Sequence, residues 1–344
     1  MGFIPSCIAP AEAEWVALSD KGTLTAQGMT DASLDHGVFV MELSLPLQGS
    51  TVLLDHQQHG ATGHSFSIFC DPTVGVVVLH RGAGEIFRHV LQGPLSCTEG
   101  TGRITFRFNV STDCWDLTYA VLGREDKTTV FAKGRSVKAF NMADMHVTCT
   151  SFHRVRRHPS VLWFGLTRGD APPALAAWVG MRTPVQTPYG LVAAGHLQPG
   201  DLVDTVDRGT LMLQAVRHME CPSRGSFAPV LLRAPYFGNS VDLLVAADQR
   251  VAIVGTEVEY LFGEEAVLMP AKAMVDNRIA LADHRRATTS AVVLDFGQPA
   301  LIEADGCVLA IPHQSHQPLL RGLAPFEVMT LQSLLGRSLG RGAG

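Results

Sequence analysis

The stretch Arg103–Val110, RITFRFNV, puts Ile104, Phe106, Phe108 and Val110 on one side of an extended chain and Arg103, Thr105, Arg107 and Asn109 on the other. A helix repeats every 3.6 residues and would scatter these apolar positions around its axis, so strict alternation requires a strand with one buried face. After Ser111-Thr112-Asp113 the alternation resumes with Trp115, Leu117, Tyr119 and Val121 opposite Asp116, Thr118 and Ala120. Two such runs around a short polar break predict a β-hairpin. Met41, Leu43, Leu45 and Leu47 alternate in the same way, Phe66 and Ile68 flank Ser65 and Ser67, and Gly75-Val76-Val77-Val78-Leu79 suits a sheet interior. Short strands separated by Gly- and Pro-containing turns predict an antiparallel sandwich or barrel over roughly the first 165 residues, with no amphipathic helix in that half.

The chain, at 344 residues, is about twice the length of one typical domain, which predicts two. An apolar fraction of 46% against 17% charged residues excludes a disordered tail-like protein. A net charge of −5 without any long run of like charges leaves nucleic acid and anionic membranes without an electrostatic handle. The most basic stretch, His153-Arg154-Val155-Arg156-Arg157-His158, reads as a solvated loop. Cysteines 7, 70, 97, 114, 149, 221 and 307 form no C-x-x-C pair, so neither a zinc site nor a disulfide framework is expected, and no cofactor pattern is present. No apolar run reaches the ~18 residues of a membrane span and no basic-start signal peptide is seen; the expected location is cytoplasmic or reached by a signal-peptide-independent route.

Asp170-Ala171-Pro172-Pro173-Ala174 is the natural break, because two prolines remove backbone donors and hold the chain extended. The expected organisation is a sandwich over 1–169, a linker over 170–177, a second, all-β domain over 178–322, and a C-terminal helix and tail over 323–344. Turns at Pro188-Tyr189-Gly190, Pro199-Gly200-Asp201, Asp207-Arg208-Gly209 and Phe237-Gly238-Asn239 punctuate the second domain, and Gly255, Gly263 and Gly306 mark further turns or bulges between short strands. In the C-terminal helix Pro325 suits the first position, Phe326, Met329 and Leu334 with Val328, Leu331 and Leu335 make an apolar face, and Gly336 suits the cap.

The ordered stretches TPVQTPYG, HLQPGDLVDTVDRG, APVLLRAPYFG, DLLVAADQRV, VEYLFGEEAVLMPA and LIEADGC, spanning roughly Trp178 to Ile311, resemble the Hint fold, the autoprocessing module of hedgehog proteins and inteins, in the form found in many bacterial Hint-domain proteins. Thr187, Pro188, Gly190, Pro199, Gly200, Asp201 and Gly263 carry the structural part of that resemblance. The first half is similar in its order of features to concanavalin-like or laminin-G-like jelly rolls, folds that often bind a glycan or a protein on one concave face and in some cases only pack, and no aromatic-plus-carboxylate cluster chooses between these.

The Hint resemblance implies a specific chemistry. A Cys or Ser opening the domain attacks the preceding carbonyl, turning an amide into a thioester or ester. A Thr-x-x-His motif supplies an imidazole to the leaving nitrogen. Anchored on Thr183 and on Thr187-Pro188-Tyr189-Gly190, the nucleophile position falls on Trp178; in LLVAADQRV the Thr and His positions fall on Ala246 and Gln249. An indole cannot add to a carbonyl, and a carboxamide exchanges no proton near neutral pH. The first hydroxyl downstream is Thr183.

The expected function is therefore a non-cleaving Hint-like protein with a structural or binding role and no catalytic residue. The alternatives are self-cleavage by an N-to-S/O acyl shift from a displaced nucleophile such as Thr183, and a glycan-binding module in the sandwich. His313 and His316 read as exposed loop histidines, Asp201 and Asp207 as turn caps, Glu257, Glu259, Glu264 and Glu265 as a solvated rim, Trp178 as a core or interdomain anchor, and Cys221 and Cys307 as buried thiols.

Overall fold

The computed structural model describes residues 14–24, 33–57, 65–82, 84–96, 99–123, 129–151, 153–169, 177–313, 319–324 and 326–332. They fall in two compact units, 14–169 and 177–332. All but the last residue of the expected 170–177 linker lie outside the described residues.

The first unit is an antiparallel β-sandwich. One sheet orders seven strands as Val130–Arg135, Cys114–Val121, Gly100–Asn109, His36–Leu45, Val161–Arg168, Glu14–Leu18 and Gly22–Thr23; the other orders five as Val155–Arg157, Thr51–Gln57, Ser65–Asp71, Gly75–Gly82 and Glu85–Gln92. The hairpin expected from RITFRFNV forms, with Asn109 opposite Cys114 and Val121 opposite Gly102. Alternation decides which faces are buried: Ile104, Phe106, Phe108, Leu117 and Tyr119 enter one core with Phe39, Met41, Phe66 and Ile68. Aromatic rings join the two sheets, with Phe39 and Phe66 centroids 5.2 Å apart. Glu42, on the side of its strand away from Phe39 and Met41, is fully buried. It takes hydrogen bonds from Arg103 Nη2 at 3.0 Å and from Trp163 Nε1 at 2.8 Å, so the carboxylate is solvated by protein in place of water.

Three features of this unit differ from the sequence reading. Val110 leaves the strand, which ends at Asn109, and is exposed in the turn. A helix, Met142–Thr150, interrupts the β pattern; Asn141 Oδ1 caps it by accepting from Asp144 N at 3.0 Å. The basic stretch is not a loop throughout, since Val155–Arg157 pairs with Thr51–Gln57. Arg157 is held there by Asp20, at 3.1 Å, by the Leu162 carbonyl, at 2.7 Å, and by the ring of Phe164 beneath it.

The second unit holds two six-stranded antiparallel sheets. One runs Ala215–Pro222, Thr288–Asp295, Val179–Gly180, Leu243–Val245, Val230–Leu232 and Ala280–Ala282; the other runs Gly209–Met212, Leu202–Thr205, Ala300–Ala304, Cys307–Ile311, Arg250–Val254 and Ala266–Pro270. Val179, Val245 and Val292 from the first share a core with Val203, Ile302 and Leu309 from the second. The expected Pro199-Gly200-Asp201 turn forms, with Gly200 at φ 97° and Asp201 Oδ2 accepting from Gln198 N at 2.8 Å.

Gly263 is not a turn between strands. It caps a helix, Thr256–Phe262, in the left-handed conformation at φ 66°, and its N–H bonds the Glu259 carbonyl. The C-terminal helix is described over 326–332, and its buried side is Val328 and Leu331. Phe326 and Met329, expected on the apolar face, are 71% and 70% exposed. Pro325, Leu334, Leu335, Gly336 and His316 lie outside the described residues. Among the described helices none is long and apolar enough to cross a membrane.

Candidate functional site

The second unit opens on a strand of two residues, Val179–Gly180, lodged between Leu243–Val245 and Thr288–Asp295. Val179 pairs with both Val245 and Val292. The strand stops because the chain turns: Thr183 N–H bonds the Gly180 carbonyl at 3.0 Å, and the Met181 and Thr183 carbonyls accept from Gly195 N, at 2.9 Å, and Ala194 N, at 2.8 Å.

The same strand brings two expected slot residues together. The Trp178 carbonyl accepts from Ala246 N at 3.0 Å, and both side chains pack in one small cluster with Cys221 and Ala291. Gln249 is linked to Ala246 through the backbone, its N–H bonding the Ala246 carbonyl at 3.0 Å. The 246–249 turn is clamped from its far side, where the Ala247 and Gln249 carbonyls accept from Lys272 N and Ala271 N, each at 2.8 Å. The Gln249 side chain is fully buried, and its Nε2 donates to the Arg250 carbonyl at 3.1 Å and the Ala310 carbonyl at 2.8 Å. Its Oε1 has no hydrogen-bond partner among the described residues.

The chemistry available here is narrow. Trp178 is 5% exposed and presents an indole, Ala246 a methyl and Gln249 a carboxamide, none of which exchanges protons near neutral pH. Cys221, buried in the same cluster as Trp178, has its thiol pushed up to about 12 by burial, so no thiolate forms there at neutral pH. Cys307 is likewise pushed up to about 12 by burial. No group of three or more His, Cys, Asp or Glu side chains able to hold a metal occurs among the described residues.

The remaining sequence-selected residues are placed elsewhere. Thr187 closes the hairpin of Pro184–Thr187 with Gly190–Ala193, its Oγ1 donating to the Gly190 carbonyl at 2.7 Å while accepting from Tyr189 N, so Pro188 lies in a built turn. Asp207 does more than cap its turn, since its Oδ1 takes the Leu301 N–H at 2.9 Å. Thr183 is 3% exposed, and its Oγ1 has no partner among the described residues.

Thr183 also forms part of a cleft of about 590 Å³ that sequence reasoning did not anticipate. Arg182, Asp242, Asp283, Arg285 and Arg286 line it together with Met181, Leu231 and Leu244. Asp283 is gripped by Arg285 through two bonds of 2.9 Å, which hold its carboxyl below the usual carboxylate range. The run Asp283-His284-Arg285-Arg286 was the one local signal for this wall; Met181, Leu231 and Leu244 join it only through the fold.

Residues 181–310 match the family model for the Hint domain, within the span that the sequence resemblance covers. No curated protein matches the chain. Two solved structures are similar at 12% identity. One is the CBM40 module of the IT-sialidase of Ruminococcus gnavus bound to α2,6-sialyllactose, covering 41% of this chain and 71% of that chain at a TM-score of 0.24. The other is the enzymatically active domain of tailspike protein 2 of bacteriophage CBA120, covering 42% of this chain and 22% of that chain at a TM-score of 0.23.

Proposed function

We propose that this chain is a non-cleaving Hint-like protein with a structural or binding role. The observation that carries the reading is Trp178: at the nucleophile position stands a buried indole packed on Cys221, Ala246 and Ala291. An acyl shift needs a nucleophile within bonding reach of the preceding carbonyl and a proton donor for the leaving nitrogen. Ala246 and Gln249 supply neither, and the Gln249 amide nitrogen is already committed to two backbone carbonyls.

The test is intact mass spectrometry of the full-length chain after prolonged incubation, alone and with dithiothreitol or hydroxylamine. The expected result is a single species at 37.0 kDa throughout. A pair of fragments dividing the chain near its middle overturns the reading.

Self-cleavage from Thr183 is the second reading, motivated by its unpartnered Oγ1 at the start of the domain. It requires fragments in the wild type that disappear in Thr183→Ala. Among the described residues no histidine lines the cleft that Thr183 borders, which favours the non-cleaving reading. A binding face on the sandwich remains part of the proposal, with Val52, Phe69, Val77 and Val90 directly opposite one another across four strands and none of them fully buried. Pull-down or glycan-array signal from the full-length chain that vanishes in Phe69→Ser would place the ligand there.

A further inference from the structure

The cleft beside Val179–Gly180 is built as a receptor. Its charges do not cancel: three guanidiniums face two carboxylates. Asp283 is occupied by Arg285, and Asp242 Oδ1 accepts from Ala234 N at 2.9 Å. Arg182 and Arg286 are exposed and have no carboxylate within ion-pair distance among the described residues. A guanidinium fork matches the two oxygens of a carboxylate or the edge of a phosphate, and its fixed plane loses little freedom on binding.

The floor adds a second, independent signal. Thr183 is nine-tenths buried and more, and its Oγ1 is an orphan, which is rare in a settled core. Thr183 and Gly180 both line the cleft. Met181, Leu231 and Leu244 give the cavity an apolar wall, and about 590 Å³ is within the range of small-molecule sites.

We propose that this cleft binds an amphipathic organic oxyanion, a carboxylate or a phosphate monoester carried on a short apolar body. Arg182 and Arg286 hold the anion, the Thr183 hydroxyl donates to it, and the Met181, Leu231 and Leu244 side chains cover the apolar part. This gives the binding role proposed above a chemical class, and the two readings fail separately: cleavage fragments would overturn the non-cleaving reading without altering a titration.

The experiment is calorimetric titration of the full-length chain with hexyl phosphate, hexanoate and hexanol at low ionic strength. One or both anions should bind saturably at one site, with hexanol silent and added salt weakening the binding. A tighter hexyl phosphate identifies the phosphate source, and a tighter hexanoate the carboxylate. Arg182→Gln combined with Arg286→Gln should lower affinity about tenfold or more. Arg208→Gln, which removes a surface arginine paired with Asp207 away from the cleft, should leave it unchanged. Thr183→Val should lose about fivefold in affinity while raising the melting temperature, because a methyl replaces an unsatisfied hydroxyl. Absence of saturable anion binding, equal binding of hexanol, full affinity in the double arginine variant or full affinity in Thr183→Val overturns the proposal.

Discussion

His89 makes the sandwich sensitive to acid in a way that can be worked out. It lies on Glu85–Gln92, is fully buried, and packs its ring against Phe106, at 4.8 Å between centroids, and Trp115, at 5.0 Å. Neither ring nitrogen has a hydrogen-bond partner among the described residues. Burial lowers its pKa from 6.5 to about 4, since a cation there would have neither water nor a counter-ion. The unfolded chain takes up the proton near 6.5 and the folded chain only near 4, so between those values unfolding binds a proton and is favoured as pH falls. Stability is complete above the higher value and levels off below the lower one. At about 1.4 kcal/mol per pH unit across that window, the loss approaches 3 kcal/mol. His89→Leu removes both nitrogens and the titration. Urea unfolding followed by tryptophan fluorescence, which samples Trp15, Trp115 and Trp163 in this unit, should show wild type losing about 3 kcal/mol more than the variant between neutral pH and pH 4. Hydrogen exchange of Glu85–Gln92 should track the same difference. Parallel stability curves for the two proteins would refute the reasoning.

Glu42→Gln should destabilise the same unit by about 3 kcal/mol in urea unfolding, because it removes the buried charge that Arg103 and Trp163 solvate. A loss below about 1 kcal/mol would mean that the pair contributes as little as a surface ion pair. Gly263→Ala should cost about 1 kcal/mol, read as a melting shift of the second unit: its φ is 66° and an added Cβ meets nothing within 4 Å, so backbone strain acts alone. No change would show that the Thr256–Phe262 helix relaxes its cap freely.

Most of the fold was legible where one period dominated. The hairpin of Gly100–Asn109 and Cys114–Val121 was readable because both strands present one face to a core and the other outward, so each residue reports its side. The Met142–Thr150 helix was not: it buries Met142, Met145, Thr148 and Cys149 at helical spacing, but its nine residues fall short of the window of about 11–18 over which that period is read. Val155–Arg157 was hidden by its charges, since sequence cannot tell that Arg157 has Asp20, two backbone carbonyls and an aromatic ring waiting for it. In the C-terminal helix two apolar stripes compete, Phe326 with Met329 and Val328 with Leu331, and only tertiary packing chooses the second.

The site divides along the same line, between backbone and side chains. Besides the packing of Trp178 with Ala246, main-chain hydrogen bonds join Trp178, Ala246 and Gln249, Ala246 N to the Trp178 carbonyl and Gln249 N to the Ala246 carbonyl, which any residue other than proline at 246 or 249 can make. A shell of this kind persists whatever chemistry its side chains carry, which is why ordered turn motifs made these positions findable in sequence. The side chains themselves answer to packing. At position 178 the indole packs with Cys221, Ala246 and Ala291, and it offers no atom that adds to a carbonyl. Gln249 marks the limit of that packing: one end of its amide is bonded twice and the other not at all, an imbalance that costs about 1–3 kcal/mol. A core free to choose would place an apolar residue there. Its nitrogen nonetheless ties the turn at 246–249 to the Ala310 carbonyl, so the side chain links the turn to the strand Cys307–Ile311.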